Sequence, residues 1–284
     1  MNNQRENWKP ADRNASALEQ ALRQAAAALQ NGQAQNAERI VRDVLVRHPR
    51  EPGALQLLGM TLLAQERARE AVAPLEEAAG RRPGAAVETY WAIALRKTGR
   101  SAAALGLLQR AIERQPPLPH AFYELGSLLY EQRRPDEAQA MLERGLRAAP
   151  GVAEFSMTLG NIFLDRGDAK NAELAFSRAL ASAPGHPEVL RGFGCALMGT
   201  GEFERASERF RQVLARDPSD ARSQLLLASC LLEIGKADEA ITHLRAVVRK
   251  SPQLFGEALK AFVQVGRGRL WLKPSAAAEF LRPS

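Results

Sequence analysis

A dense group of glycines lies in the stretch RGFGCALMGTGEF, between Arg191 and Phe203. Glycines packed this closely often form loops whose backbone amides hold a phosphate group. Such a loop follows a β-strand and carries a pattern such as GxxxxGK[ST] or GxGxxG. The stretch has neither pattern, and no segment with the alternation typical of a strand precedes it. A nucleotide site is therefore not supported, and the glycines need another explanation.

The residues that could act as nucleophiles or metal ligands are few and scattered. The two cysteines, Cys195 and Cys230, have no histidine or aspartate placed to activate them. No G-x-S-x-G motif, HExxH motif or Cys–His cluster occurs in the sequence. We therefore predict a protein that is not an enzyme, with no catalytic residue, cofactor or metal site, and with two free, partly buried thiols. The histidines, which we interpret as structural or solvated, are His48, His120, His186 and His243.

The composition limits the class of protein and its location. The chain has 284 residues, of which 45% are hydrophobic, and alanine and leucine dominate them, which favours helix over strand. No run of eighteen apolar residues occurs, and the N-terminus MNNQRENWKPADRNAS lacks the apolar core of a signal peptide. We therefore predict a cytoplasmic protein with no membrane insertion. The formal charge of +7 is modest for this length.

A regular spacing of prolines divides the chain into repeats. Seven prolines recur at this spacing, and the residue twelve positions before each of them is alanine. The residue twenty-four positions before each of them is alanine or glycine. A large apolar residue always stands four residues after the alanine nearer the proline. Such agreement in register indicates an internal repeat. The prolines, spaced by 34 residues with one gap of 33, are Pro49, Pro83, Pro116, Pro150, Pro184, Pro218 and Pro252.

Each period has the pattern of two amphipathic helices joined by a short turn such as DRGDA or GTGEF. The small residues would let neighbouring helices approach closely, and the proline would end the second helix. In this register Gly194 occupies the position that holds alanine or glycine in every repeat, and Gly201 lies in the interhelix turn. Gly192 and Gly199 are particular to their repeat, and we interpret them as a softened helix or as room for a partner's backbone.

The clearest copy, LGNIFLDRGDAKNAELAFSRALASAP from Leu159 to Pro184, resembles the tetratricopeptide repeat. The resemblance covers 18–254 and implies an all-α fold, a right-handed α-α superhelix (TPR solenoid) of about seven helical hairpins plus a C-terminal capping helix. The second repeat is one residue short, and Trp91 stands where leucine is usual. The expected repeats are 18–51, 52–84, 85–118, 119–152, 153–186, 187–220 and 221–254.

The flanking segments are expected to differ from the repeats. Residues 1–17 are polar and are expected to form a disordered leader. Residues 255–284 are expected to form a capping helix and a C-terminal tail. The stretch LFGEALKAFVQV, from Leu254, has the pattern of a helix that caps the last open apolar face. The large apolar residues of the remaining tail are expected to fold back onto this cap, with an exposed partner-binding tail as the alternative. These residues are Trp271, Leu272, Phe280 and Leu281.

The resemblance implies that partners bind in a concave groove lined by the first helix of each repeat. The inward positions in each first helix are counted from its small residue, which stands twenty-four positions before the proline of the repeat. They are the third residue before it, the first residue after it and the fourth residue after it. Tyrosine, methionine and arginine among aliphatic residues are typical of an adaptable protein-binding surface. The candidate partner-binding residues are Gln56, Met60, Arg96, Tyr123, Ser127, Tyr130, Met157, Asn161, Arg191, Cys195 and Met198. The same rule adds Leu63, Thr89, Ile93, Leu164, Leu225, Ser229 and Leu232.

We interpret the chain as a non-catalytic scaffold or adaptor that binds a peptide or protein partner. The alternative is a stand-alone regulatory or substrate-presenting arm for a separately encoded sulfotransferase or glycosyltransferase, because similar repeat blocks precede such domains. A family clamp for terminal carboxylates is disfavoured, since Asn161 stands alone and Met157 replaces the expected lysine. Self-association remains open.

Nucleic acid is not an expected partner. The carboxylates of Glu131, Asp165 and Glu233 are expected to offset the basic groove residues, which are Arg96, Lys97 and Arg191. Aromatic residues, on which bases stack, make up only 6% of the chain.

Overall fold

The computed structural model describes residues 10–116 and 118–263, which form fifteen α-helices and one 3-10 helix, with no strand among them. This all-α architecture confirms the predicted fold class and its hairpin pattern. In chain order the helices are α1 (Pro10–Gln30), α2 (Ala34–Arg47), α3 (Pro52–Ala64), α4 (Ala68–Arg81), α5 (Ala85–Lys97), α6 (Ser101–Glu113), α7 (Pro119–Glu131), α8 (Pro135–Ala148), α9 (Ala153–Asp165), α10 (Ala169–Ser182), α11 (Pro187–Gly199), α12 (Phe203–Arg216), α13 (Ala221–Glu233), α14 (Ala237–Lys250), the 3-10 helix Pro252–Leu254 and α15 (Phe255–Val263).

The helices divide between two compact units, with the boundary between Met141 and Leu142, inside α8. In unit 1, each helix from α1 to α7 packs against the next one in the chain, and the odd-numbered helices also contact one another in order. In unit 2, the same pattern links α9 to α15. Each unit is a stack of helical hairpins. The odd-numbered helices from α1 to α13 are the first helices of their hairpins, and the even-numbered helices are the second helices.

The small residues of the repeat lie where helices approach most closely. A Cβ atom added at Gly160 would lie 2.7 Å from the ring of Phe176, and one at Gly194 would lie 2.6 Å from the ring of Phe210. The large residue of the second helix therefore packs against the glycine of the first helix, as the repeat register predicts. The alanines nearer the prolines are all fully buried, namely Ala37, Ala71, Ala104, Ala138, Ala172, Ala206 and Ala240.

The two glycines particular to repeat six have a different role from the one expected. A Cβ atom at Gly192 would lie 2.3 Å from the ring of Phe176, and one at Gly199 would lie 2.6 Å from the Cβ of Ala169. The preceding repeat therefore fills the space that a side chain would occupy at both residues, so packing between repeats accounts for the two glycines. Gly201 does lie in the interhelix turn, with a left-handed φ of +82°.

The ends of the described region refine the expected boundaries. Helix α1 begins at Pro10, inside the segment expected to be a disordered leader, because proline is well tolerated in the first turn of a helix. Helix α15 lies at the position expected for the cap, with Ala258 fully buried and with contacts to α13 and α14. Residues 1–9 of the expected leader and 264–284 of the expected tail lie outside the described residues.

Candidate partner-binding site

One concavity of about 280 Å³ in unit 2 brings four of the candidate residues together. Met157 and Asn161 reach it from α9, and Arg191 and Cys195 reach it from α11. We name this concavity the first-helix pocket. Its lining is completed by Leu164, Glu188, Gly192 and Arg222.

The position of Arg191 in the pocket is fixed by α13. Its Nη1 donates to Oδ2 of Asp220 at 2.8 Å, and Asp220 caps the N-terminus of α13 by accepting from the backbone N–H groups of Arg222 and Ser223. Asp220 therefore holds Arg191 and neutralises its charge. From the sequence, Asp165 or Glu233 was expected in this role. Partial burial acts to raise the pKa of Asp220, but hydrogen bonds from Ser223 and the charge of Arg191 outweigh it and leave the pKa lowered.

Replacing Asp220 with alanine is expected to lower the free energy of unfolding by about 1–2 kcal/mol at neutral pH, because α13 loses its cap. Since the folded-state pKa of Asp220 lies below its unfolded value, its stabilising effect is present above the unfolded pKa and is lost as the pH falls through the folded pKa. Urea titrations of wild type and variant at pH 7 and at acid pH measure this. A difference that stays constant down to acid pH would show that the carboxylate charge is not involved.

Two charged residues of the pocket escaped the sequence prediction. Glu188 and Arg222 each stand six residues before the small residue of their helix, so they extend the predicted helix face by one turn toward its N-terminus. Extending the spacing rule by one helical turn would have selected both residues from the sequence. Both side chains are exposed, and among the described residues Arg222 makes no ion pair. Arg222 is therefore the cation of the pocket that is open to a ligand.

Both cysteines carry free thiols, and they differ in exposure. Cys195 is partly buried in the pocket wall, and burial raises the pKa of its thiol despite the opposing charges of Arg222 and Arg191. Cys230 is buried, and burial, assisted by Cys195 and Glu233, raises the pKa of its thiol to about 12. Raised pKa values favour the protonated thiols, which pack as small apolar side chains.

In unit 1 the candidate residues lie partly exposed on three first helices. Gln56 and Met60 are neighbours on α3, with 3.9 Å between Nε2 and Sδ. Arg96 on α5 donates to Glu131 at 2.9 Å, as expected, and also to the buried Glu124 at 2.8 Å. Two carboxylates of α7 therefore bind the guanidinium of Arg96. The pairing joins the first helices of adjacent repeats.

Aromatic residues line the same face of unit 1. Tyr123 stacks on the imidazole of His120, with ring centroids 6.2 Å apart, and Tyr90 contacts His120 from α5 at 6.1 Å. Ser127 and Tyr130 follow Tyr123 along α7 and are also partly exposed. This face presents the mixture of aromatic and polar groups that the sequence predicts for α7.

Some positions given by the same spacing rule are not accessible. Leu63, Thr89 and Leu232 are buried, and the hydroxyl of Thr89 donates to the carbonyl of Ala85 within its own helix. These residues pack between helices, so their assignment to a partner surface was wrong. Met198 is partly buried against the core of unit 2 and does not line the first-helix pocket.

Within the described parts of the chain, no group of histidine, cysteine, aspartate and glutamate side chains could hold a metal ion. None of the helices in those parts combines the length and the apolar character needed to cross a bilayer.

A family model described as a tetratricopeptide repeat matches residues 15–86, 91–138, 123–187 and 191–255. These matches cover most of the sequence. The chain belongs to the tetratricopeptide repeat family. The repeats support a protein-interaction scaffold, and no catalytic family is indicated for this tetratricopeptide repeat chain.

Solved tetratricopeptide repeat structures share the fold at low sequence identity. The APC/C Cut9–Hcn1 hetero-tetramer gives a TM-score of 0.70 at 18% identity, covering 86% of this chain and 48% of that chain. PilF of Pseudomonas aeruginosa gives 0.64 at 21% identity, covering 71% and 92%. A human IFIT1 dimer with PPP-AAAA gives 0.63 at 15% identity, covering 93% and 68%. The chain thus spans about half the length of the Cut9–Hcn1 chain that it matches. A comparison with curated proteins gave no match.

Proposed function

We propose that this tetratricopeptide repeat chain is a non-catalytic adaptor that holds a peptide segment of a protein partner in the first-helix pocket. The observation that carries the proposal is the pocket itself, in which five residues selected from the repeat register, Leu164 among them, meet on α9 and α11. Residues that share a pocket can act on one ligand, whereas a helix face that only packs its neighbours would leave no such space.

The chemistry of the pocket supports an apolar side chain with polar groups beside it. Met157 and Leu164 offer flexible apolar contacts. The exposed Asn161 can both donate to and accept from a peptide backbone. Arg222 offers a guanidinium without an ion pair, which suits a carboxylate on the peptide. Arg191 is already neutralised by Asp220, so it contributes shape more than charge.

The candidate residues of unit 1 belong to the same proposal as a separate contact surface. Tyr123 and Tyr130 supply rigid aromatic area of the kind that dominates binding energy at protein interfaces. The polar and flexible groups beside them are Gln56, Met60, Arg96 and Ser127. We propose that these residues form a contact surface for a protein partner on unit 1 by itself.

Affinity capture on the immobilised chain, followed by mass spectrometry, tests the proposal. We expect wild type to enrich a defined set of proteins that a variant carrying Asn161→Ala and Arg222→Ala does not enrich. Both residues are exposed, so thermal unfolding of the variant should match that of wild type and the loss should not reflect misfolding. Equal enrichment by the two baits would show that the first-helix pocket is not the partner site.

A further inference from the structure

A second concavity, of about 330 Å³, lies on unit 2 and is lined by the second helices α8 and α10 together with the first helix α9. Leu146 on α8, Phe163 at the end of α9 and Leu174 on α10 line it with apolar surface. Arg147 and Arg178 stand at its edge. We name this concavity the outer groove. It shares no lining residue with the first-helix pocket.

The apolar surface of the outer groove is a departure from the repeat pattern. Leu174 is 49% exposed. Phe163 is partly exposed, although its counterparts in the other repeats are all buried. Apolar groups that line one concavity beside charged residues, and that the repeat does not require, are typical of an interaction surface. The counterparts of Leu174 are Arg39, Ala73, Gly106, Ala140, Glu208 and Thr242, and those of Phe163 are Ala28, Leu62, Leu95, Leu129, Leu197 and Leu231.

The charge at the edge of the groove specifies what can cover it. The side chains of Arg147 and Arg178 are exposed, and neither side chain makes a hydrogen bond or ion pair with the other residues that the structure describes. Glu143, the acidic residue of the lining, already interacts within the chain. The groove therefore combines an apolar floor with two guanidinium groups that are open to carboxylates.

We infer that the outer groove binds a partner peptide in which one or two large apolar side chains are flanked by aspartate or glutamate. The apolar side chains cover Phe163 and Leu174, and the carboxylates pair with Arg147 and Arg178. Opposite charge at the edge of an apolar contact raises the association rate and selects among partners. This site is independent of the proposed ligand of the first-helix pocket.

Selection of phage-displayed random 12-residue peptides on the full chain tests the inference. The counter-selection uses a variant with Phe163→Leu and Leu174→Thr, residues that stand at the same positions in sister repeats, so the fold should be kept. We expect enriched peptides to carry leucine, isoleucine, phenylalanine or tryptophan flanked by acidic residues. A synthetic copy should bind the variant about tenfold or more weakly than wild type.

Two further variants separate charge from location. Arg147→Gln with Arg178→Gln should weaken the same peptide and reduce the salt dependence of its affinity, while Arg222→Ala in the first-helix pocket should leave binding unchanged. The inference is overturned if no peptide is enriched, if the enriched peptides are basic or uncharged, or if the variants bind equally well. It is also overturned if light scattering shows a wild-type dimer that Leu174→Thr converts to monomer, because a second copy of the chain would then cover the groove.

Discussion

Replacing Phe176 with alanine is expected to lower the free energy of unfolding by about 3–5 kcal/mol. Phe176 is fully buried, and its ring occupies the space left by two glycines, Gly160 in its own repeat and Gly192 in the next. Removal of the ring would leave a cavity between α9, α10 and α11 that rigid helices cannot close. Urea unfolding followed by circular dichroism measures the effect, and a loss below about 1 kcal/mol would contradict this packing.

The same contact predicts that Gly192 and Phe176 are energetically coupled. Gly192→Ala places a Cβ atom 2.3 Å from the ring in wild type, so it should destabilise by about 1–3 kcal/mol. In the Phe176→Ala background the clash is absent, and the same change should be neutral or stabilising by up to about 1 kcal/mol, because alanine favours helix over glycine.

Gly106→Ala is the matched control for the glycine series. Gly106 also lies inside a helix, α6, but an added Cβ atom would meet nothing within 4 Å. We expect a stabilisation of up to about 1 kcal/mol in this case. If Gly192→Ala cost the same with and without the Phe176 ring, the glycine would matter for backbone reasons and not for the packing of two repeats.

Replacing Asn161 and Arg222 together with alanine is expected to weaken binding of a captured partner peptide by about 30-fold or more, the effect of losing roughly 2 kcal/mol at the centre of an interface. The loss arises because Arg222 is the guanidinium of the first-helix pocket without an internal ion pair among the described residues, and Asn161 is its exposed amide. Fluorescence anisotropy of the labelled peptide measures it.

Single substitutions show which property of Arg222 matters. Arg222→Lys keeps the charge but loses the two-pronged geometry, so its affinity should lie between wild type and Arg222→Ala. Arg249→Ala is the control, since Arg249 is an exposed arginine of the same unit outside the pocket. An equal loss with Arg249→Ala would indicate a general charge effect and would remove the basis for a pocket at Arg222.

The repeat architecture could be predicted from the sequence because its requirements are local and recur in register. Ala172 and Phe176 are both fully buried, at columns that spacing alone identifies. The sequence also selected Met157, Asn161, Arg191 and Cys195, which the structure brings into one concavity, although their binding role stays a prediction.

Features that depend on contacts between particular repeats could not be predicted in this way. Arg191 pairs with Asp220 because Asp220 is fixed as the cap of α13, and sequence spacing does not show this geometry. The partial exposure of Phe163 differs from that of its counterparts at the same column, so periodicity predicts the wrong environment. Gly192 was interpreted as a softened helix or as room for a partner's backbone, whereas Phe176 of the preceding repeat fills the space that its side chain would occupy.

Hydrogen–deuterium exchange of the full chain, with and without a saturating captured partner peptide, tests the proposed function most directly. We expect the peptide to slow exchange in α9, α11 and the first turn of α13, where the residues of the first-helix pocket lie. The Asn161→Ala, Arg222→Ala variant should lose this protection at the same peptide concentration. Protection confined to the second helices, with none in α9 or α11, would contradict the assignment of the partner site to the first-helix pocket.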